Sequence, residues 1–343
     1  MTGSTLNIDN EIARQEYQKL NASFSKKLVF HLGAEAGFFS EYNNMIFAML
    51  YCLQEKIRFV LYSEDANFGY RKGWTDYFIP FCEEDVNPHH STYNKRRPYT
   101  YKRRTGKKTV DAAYNTMVAP LVKQRNSLRD QLAKVVYFKE TGPFYYTHEL
   151  WEDFHSREME NKTFHFPDLQ IYGDLRSASR RLTELTWIYN HEVKSEIDGI
   201  ISSLNLPDEY VGLHIRGGDK FVEFDLHEID TYINKATSLS NCRNAFVLTD
   251  DYRIIEQLNQ KYPDWHIYTL CDKESRGYFH WDFIKLDKTH IRNQHVRLFA
   301  STDVLNKAAF FVGTFNSNVG AYLGVRMDRD KCFGVDFDDW RIF

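Results

Sequence analysis

Val211-Gly-Leu-His-Ile-Arg-Gly-Gly-Asp-Lys220 sets an apolar run directly before His214, Arg216, two glycines, Asp219 and Lys220. Tyr210 to Leu213 predicts a short buried strand. Polar groups at the carboxyl end of such a strand are how an open α/β sheet builds a ligand site. The glycines let the backbone approach a ligand or take a positive φ. Arg216 and Lys220 supply fixed positive charge, whose counterpart is a phosphate or diphosphate. A plain βα turn with a surface ion pair would use the same residue types, and spacing alone does not separate the two.

Other stretches carry weaker signals. Gly33-Ala-Glu-Ala-Gly37-Phe-Phe-Ser-Glu-Tyr-Asn-Asn44 is a glycine-bearing turn after a strand, without dinucleotide-fingerprint spacing. Residues 63–80 form an aromatic loop in which Trp74 and Phe78 read as packing residues and Tyr70 could offer a hydroxyl. Residues 95–108 hold eight basic residues in fourteen. Such a run is usually a solvated loop, with contact to an anionic acceptor as the sharper reading. The histidines of 145–166 lack the HExxH arrangement, so no metal is assigned. Asn316 or Ser317 makes a good N-cap, and the amides after it are expected to present a helix N-terminus to a diphosphate in the same cleft as Arg216.

The elements that must position these groups follow from periodicity. Strands are expected at 28–32, 58–62, 210–215, 244–248, 266–270 and 309–312. Helices are expected at 9–22, 45–53, 111–138, 229–239, 252–260, 294–306 and 319–325, with one long amphipathic helix over 177–204. Alternating β and α at these lengths predicts parallel sheets with helices on both faces. The 343 residues exceed one ordinary core, and a boundary near 205 gives domains 1–205 and 206–343. A net charge of −3 implies no affinity for nucleic acid or anionic membrane. Five cysteines, odd in number and without a CxxC pair, argue for reduced thiols in a cytoplasmic setting. Neither a signal peptide nor a transmembrane anchor is expected.

Together these blocks resemble the α1,6-fucosyltransferase superfamily, which includes the core N-glycan and rhizobial nodulation-factor enzymes. His214-Ile-Arg216-Gly-Gly-Asp219-Lys220 is similar to the family's His-x-Arg-Arg-x-Asp-Lys. Leu248-Thr-Asp250-Asp251 resembles its second block, and Phe311-Val-Gly-Thr-Phe-Asn-Ser-Asn-Val319 its third. Asn67-Phe-Gly-Tyr70-Arg-Lys-Gly73-Trp74, then Phe78 and Pro80, is similar to a first-half block, and Gly37 to Asn44 looks like the first glycine turn. The likeness covers roughly 28–82 and 170–325 and omits 86–165.

The resemblance implies a GT-B fold: two Rossmann-like domains with parallel sheets facing a cleft. It implies an inverting, metal-independent transferase that moves fucose from GDP-fucose to a glycan hydroxyl, the acceptor being an oligosaccharide, lipid-linked glycan or glycoprotein. By position, Arg216 would hold the β-phosphate and stabilise the leaving group. Lys220 and Tyr70 would add donors to the diphosphate. His214 would touch the nucleotide, and Asp219 would orient Arg216 or Lys220. Asn316 and Ser317 would bind phosphate, and Asp303 or Ser301 would read guanine. Glu223 would be the general base, with Asp225 behind it. Gly217 departs from the family's second Arg. That leaves two alternatives: a pseudoenzyme that holds a GDP-sugar without transfer, and a transferase for another GDP-hexose.

Overall fold

The computed structural model describes residues 2–94, 108–137, 144–217 and 227–341. The first sheet is parallel, in the order β2-β1-β3, from β1 (Lys26–His31), β2 (Ile57–Tyr62) and β3 (Phe144–Tyr146). β1 and β2 are apolar runs buried on both faces, and each ends where polar residues begin. The helix Phe38–Gln54 connects them across one face. Gly33 makes the turn possible. Its φ is +74°, and a Cβ there would lie 2.5 Å from the Phe68 ring, so neither the backbone nor the space admits a side chain.

β4 (Phe164–Phe166) and β5 (Ile171–Gly173) form a small antiparallel pair. The second main sheet is parallel throughout, in the order β10-β9-β6-β7-β8. Its strands are β6 (Val211–His214), β7 (Asn244–Leu248), β8 (His266–Tyr268), β9 (Phe311–Gly313) and β10 (Cys332–Gly334). β6 is central, so its carboxyl end lies deep between neighbouring strand ends, where crossover loops converge.

Two expectations are corrected. The segment 177–204 is two helices, Leu175–Thr186 and His191–Ser203. The apolar period runs through the break, but Asn190 starts a new helix by accepting the Val193 amide at 3.0 Å. Phe78 also bridges to Tyr189 within the gap. Likewise the helix expected from 294 begins at Lys288, because Asp287 caps it through the His290 amide at 2.9 Å.

The sheets are joined by aromatic packing. Phe38, from the first half, lies 4.7 Å (ring centroids) from Phe299 on the Lys288–Lys307 helix. Phe39 and Trp187 lie 4.6 and 4.7 Å from Tyr322 on the helix Asn318–Arg326. All five rings are buried. Their interlock fixes the N-terminus of the 38–54 helix against the second sheet, and the space beside that contact is the cleft.

Candidate active site

Ile215 still pairs with β7, its amide donating to Leu248 O at 3.0 Å, so the chain leaving β6 is held straight up to Arg216. There Asp250, at the end of β7, takes over. Its Oδ1 accepts the Gly217 amide at 2.7 Å and its Oδ2 accepts the Tyr278 amide at 3.0 Å. The Arg216 guanidinium lies 3.5 Å from the same Oδ2. One carboxylate thus ties the first-block loop to the 277–278 loop and forms an ion pair with the arginine. Amide bonds to a charged acceptor contribute about 1.5–3 kcal/mol each. Asp250→Ala is therefore expected to lower unfolding free energy by ~3 kcal/mol, and Asp250→Asn by less because one acceptor remains. Chemical denaturation of both variants checks this ranking.

Gly217 lies against Asp250 and its neighbour Asp251. A Cβ there would meet Asp251 Cβ at 3.0 Å and Asp250 Oδ1 at 3.5 Å. Asp251 caps the helix Tyr252–Lys261 and is chelated by Arg253, whose hydrogen bonds hold its carboxyl below the ordinary range. Where the family pattern would have a second arginine, this chain has bare backbone beside two acids already engaged.

His214 is buried at the strand end, with Nδ1 3.4 Å from Ser317 Oγ. Ser317 accepts the Gly320 amide at 3.0 Å as N-cap of the 318–326 helix, and donates to Thr314 O at 3.0 Å. That engages the one hydroxyl proton, so His214 Nδ1 is the donor of its contact, a tautomer inferred from the network.

These groups open on a cavity of ≈ 650 Å³. His214, Arg216 and Asp250 form its floor. Gly37 to Ser40, at the start of the 38–54 helix, close one side. Gln294, Arg297 and Ser301 line it as a stripe on the 288–307 helix, against which Phe38 packs. Asp272, from the loop after β8, is paired to Arg297 at 2.5 Å and accepts from Gln294 at 3.3 Å. Volume and mixed lining suit a nucleotide-sized ligand. Among the described residues no three His, Cys, Asp or Glu side chains converge as a metal site.

His295 is a buried member of the lining. Burial lowers its pKa from 6.5 to about 4, with the Lys288 charge acting in the same direction. Its Nδ1 donates to Ile291 O at 2.8 Å, which favours the protonated ring but does not offset burial. The folded chain thus binds this proton less readily than the unfolded chain. The stability associated with neutral His295 is complete above pH 6.5 and is lost as pH falls toward 4, by ~3 kcal/mol in total. His295→Gln is expected to flatten that part of the stability-versus-pH curve. Equal slopes for the two proteins between pH 7 and 4.5 would contradict the assignment.

The structure brings His214, Arg216 and Ser301 to the cavity. Ser317 lies one contact behind, through His214. Asp303 is not there: it is on another face of its helix, near Tyr189 and Arg326, where burial raises its pKa while Arg326 opposes that rise. Asn316 is not in the lining either, its place being taken by Asn318. The amides after the Ser317 cap begin at Asn318, and Asn318 and Val319 line the cavity; the two turn amides before the cap are engaged. Asp336 accepts Phe315 N at 2.9 Å and Asn316 N at 2.8 Å. Tyr70 also lies outside the lining, under the Arg71 guanidinium at 4.8 Å, in a loop folded around the Asp76 carboxylate. Asp219, Lys220, Glu223 and Asp225 lie outside the described residues. Sequence reasoning missed the positioning role of Asp250 and the parts of Asp272, Asp336 and His295.

No protein-family model matches the sequence, and no curated protein matches it. Solved structures do. The fucosyltransferase NodZ from Bradyrhizobium superimposes with a TM-score of 0.50 and 13% identity, over 88% of this chain and 93% of that one. POFUT1 in complex with GDP-fucose matches with a TM-score of 0.46 and 10% identity, over 94% of this chain and 99% of that one. FUT1 from Arabidopsis thaliana, in complex with GDP, matches with a TM-score of 0.45 and 12% identity, over 94% of this chain and 76% of that one. At such identity a likeness speaks to the fold, and the chain has a fucosyltransferase-like GT-B fold, with Rossmann-like parallel sheets on the two sides of a cleft.

Proposed function

We propose that the chain is an inverting, metal-independent fucosyltransferase that moves fucose from GDP-fucose to a glycan hydroxyl, with 206–343 as the donor side and 1–205 as the acceptor side. The observation that carries this reading is Arg216 at the carboxyl end of the central strand, paired with Asp250 in the lining of a nucleotide-sized cavity. Bond breaking at the anomeric carbon leaves negative charge on the β-phosphate of GDP. A preoriented guanidinium stabilises it there, the task a divalent cation performs in metal-dependent transferases. Lys220 adds a second charge. His214 and Ser301, which line the cavity, meet the nucleotide in this reading. Glu223 takes the proton from the acceptor hydroxyl on the face opposite GDP.

Gly217 supports a second reading, a GDP-sugar-binding protein without transfer, because its side chain contributes no charge at the diphosphate. Donor hydrolysis in EDTA separates the two, with GDP-fucose, GDP-mannose and UDP-glucose compared. Slow release of fucose from GDP-fucose alone, as the α-anomer by NMR before mutarotation, fits the transferase, because the donor is the β-glycosyl diphosphate and the proposed mechanism inverts it. Release from GDP-mannose instead moves the donor to another GDP-hexose. Retention of activity only when metal is added contradicts the metal-independent mechanism.

A further inference from the structure

Between β2 and β3 the chain carries a long helix: Lys108–Ala113, one π-helical turn at Tyr114–Val118, then Ala119–Tyr137. Its C-terminal end is tied to the first sheet from one side. Lys134 Nζ donates to Phe144 O at 2.9 Å and pairs with Glu149, and Gln131 donates to Glu149 at 3.1 Å. A different side carries Val118, Leu121, Arg125, Leu128, Leu132 and Val135, spaced alternately by three and four residues. That spacing is the a/d seam of a heptad repeat. Leu121, Leu128, Leu132 and Val135 are 65%, 63%, 67% and 67% exposed. A continuous exposed stripe of this kind marks an interaction surface, where scattered single leucines would not.

We propose that the stripe is a homodimer interface in which the 119–137 helices of two copies pair antiparallel. The 3-4 spacing calls for a partner helix with the same spacing, and this helix supplies it to itself. A two-fold axis between Arg125 and Leu128 sets Val118 against Val135, Leu121 against Leu132 and Arg125 against Leu128. Every a position then meets a d position, as an isologous antiparallel pair requires. Parallel pairing would place Arg125 on Arg125. Antiparallel pairing brings e positions to e positions and g to g, which sets Arg129 beside Val122 and Gln124 beside Gln131, so no like charges meet beside the seam. The area comes close to that of a standard interface. Five seam aliphatics with Val110 and Met117, at about 100 Å² each, present ~700 Å² per copy. A standard interface needs about 800 Å² per partner.

Arg125 is the weak point of this seam, which gives a test in both directions. Sedimentation velocity of the full chain over a hundredfold concentration range is expected to show a monomer–dimer equilibrium. Leu121→Glu with Leu132→Glu should leave only monomer, with an unchanged melting temperature because both side chains are exposed. Arg125→Leu should tighten the dimer roughly tenfold or more. Monomer at every concentration for both the wild type and Arg125→Leu would overturn the proposal, as would a dimer indifferent to the double glutamate change.

Discussion

Arg216→Ala is expected to abolish transfer and to weaken GDP binding. The side chain is one-fifth exposed, enough to meet a ligand and little enough that water does not replace it cheaply. An arginine acting on charge that develops at a leaving phosphate is worth ~10³–10⁵ in turnover in comparable phosphoryl chemistry. Its charge-assisted bonds in the ground state contribute only about 1.5–3 kcal/mol, or ~10–100-fold in GDP affinity. The kinetic loss should therefore exceed the binding loss by at least an order of magnitude. Arg216→Lys keeps the charge and loses the planar fork, and should fall between the two. Parallel calorimetry and initial rates check the split. Equal losses in affinity and rate would mean that Arg216 binds the donor without favouring the transition state.

Glu223→Gln is expected to show the opposite division. A general base contributes ~10²–10⁴ to the rate. The amide is nearly isosteric, and in the proposed role it faces the acceptor hydroxyl and not GDP. Turnover should collapse by that factor while GDP-fucose affinity stays at the wild-type value. Asp225→Asn is the control, since Asp225 is the second acid two residues on in the sequence. Normal transfer by Glu223→Gln would remove Glu223 from the mechanism. A loss in Asp225→Asn alone would move the role there.

What the sequence showed and what it hid divide along physical lines. β6, β7 and β9 were legible because parallel strands buried on both faces read as apolar runs, and these runs stop at His214, Thr249 and Gly313. β3 and β10 were not, since β3 (Phe-Tyr-Tyr) sits in a stretch rich in aromatics, histidine and acids and β10 (Cys-Phe-Gly) is flanked by charged residues, so neither stands out as an apolar run. The break at 187–190 hid because Trp187 and Ile188 continue the apolar period across it, and only the Asn190 cap betrays a new helix. At the site, His214 and Arg216 were readable because they interrupt an apolar strand. Ser301 and Asp303 could not be told apart by composition. Two residues apart on a helix is about 200° of rotation, and only the packing of that helix decides which one meets the cavity. Asp336 was invisible for another reason. Its partners are backbone amides twenty residues earlier in the chain, and a carboxylate that satisfies amides leaves no spacing signature. Asp250 was seen as a strand-end acid. Its hold on Gly217 and Tyr278 came from two loops meeting in space.

The most direct test of the account is calorimetric titration of the wild-type chain with GDP-fucose in EDTA, with UDP-glucose as the contrast. The account predicts saturable one-to-one binding of GDP-fucose without metal, weakened by Arg216→Ala, and none of UDP-glucose. Absence of binding by GDP-fucose and by GDP itself, in a chain shown to be folded, would contradict it.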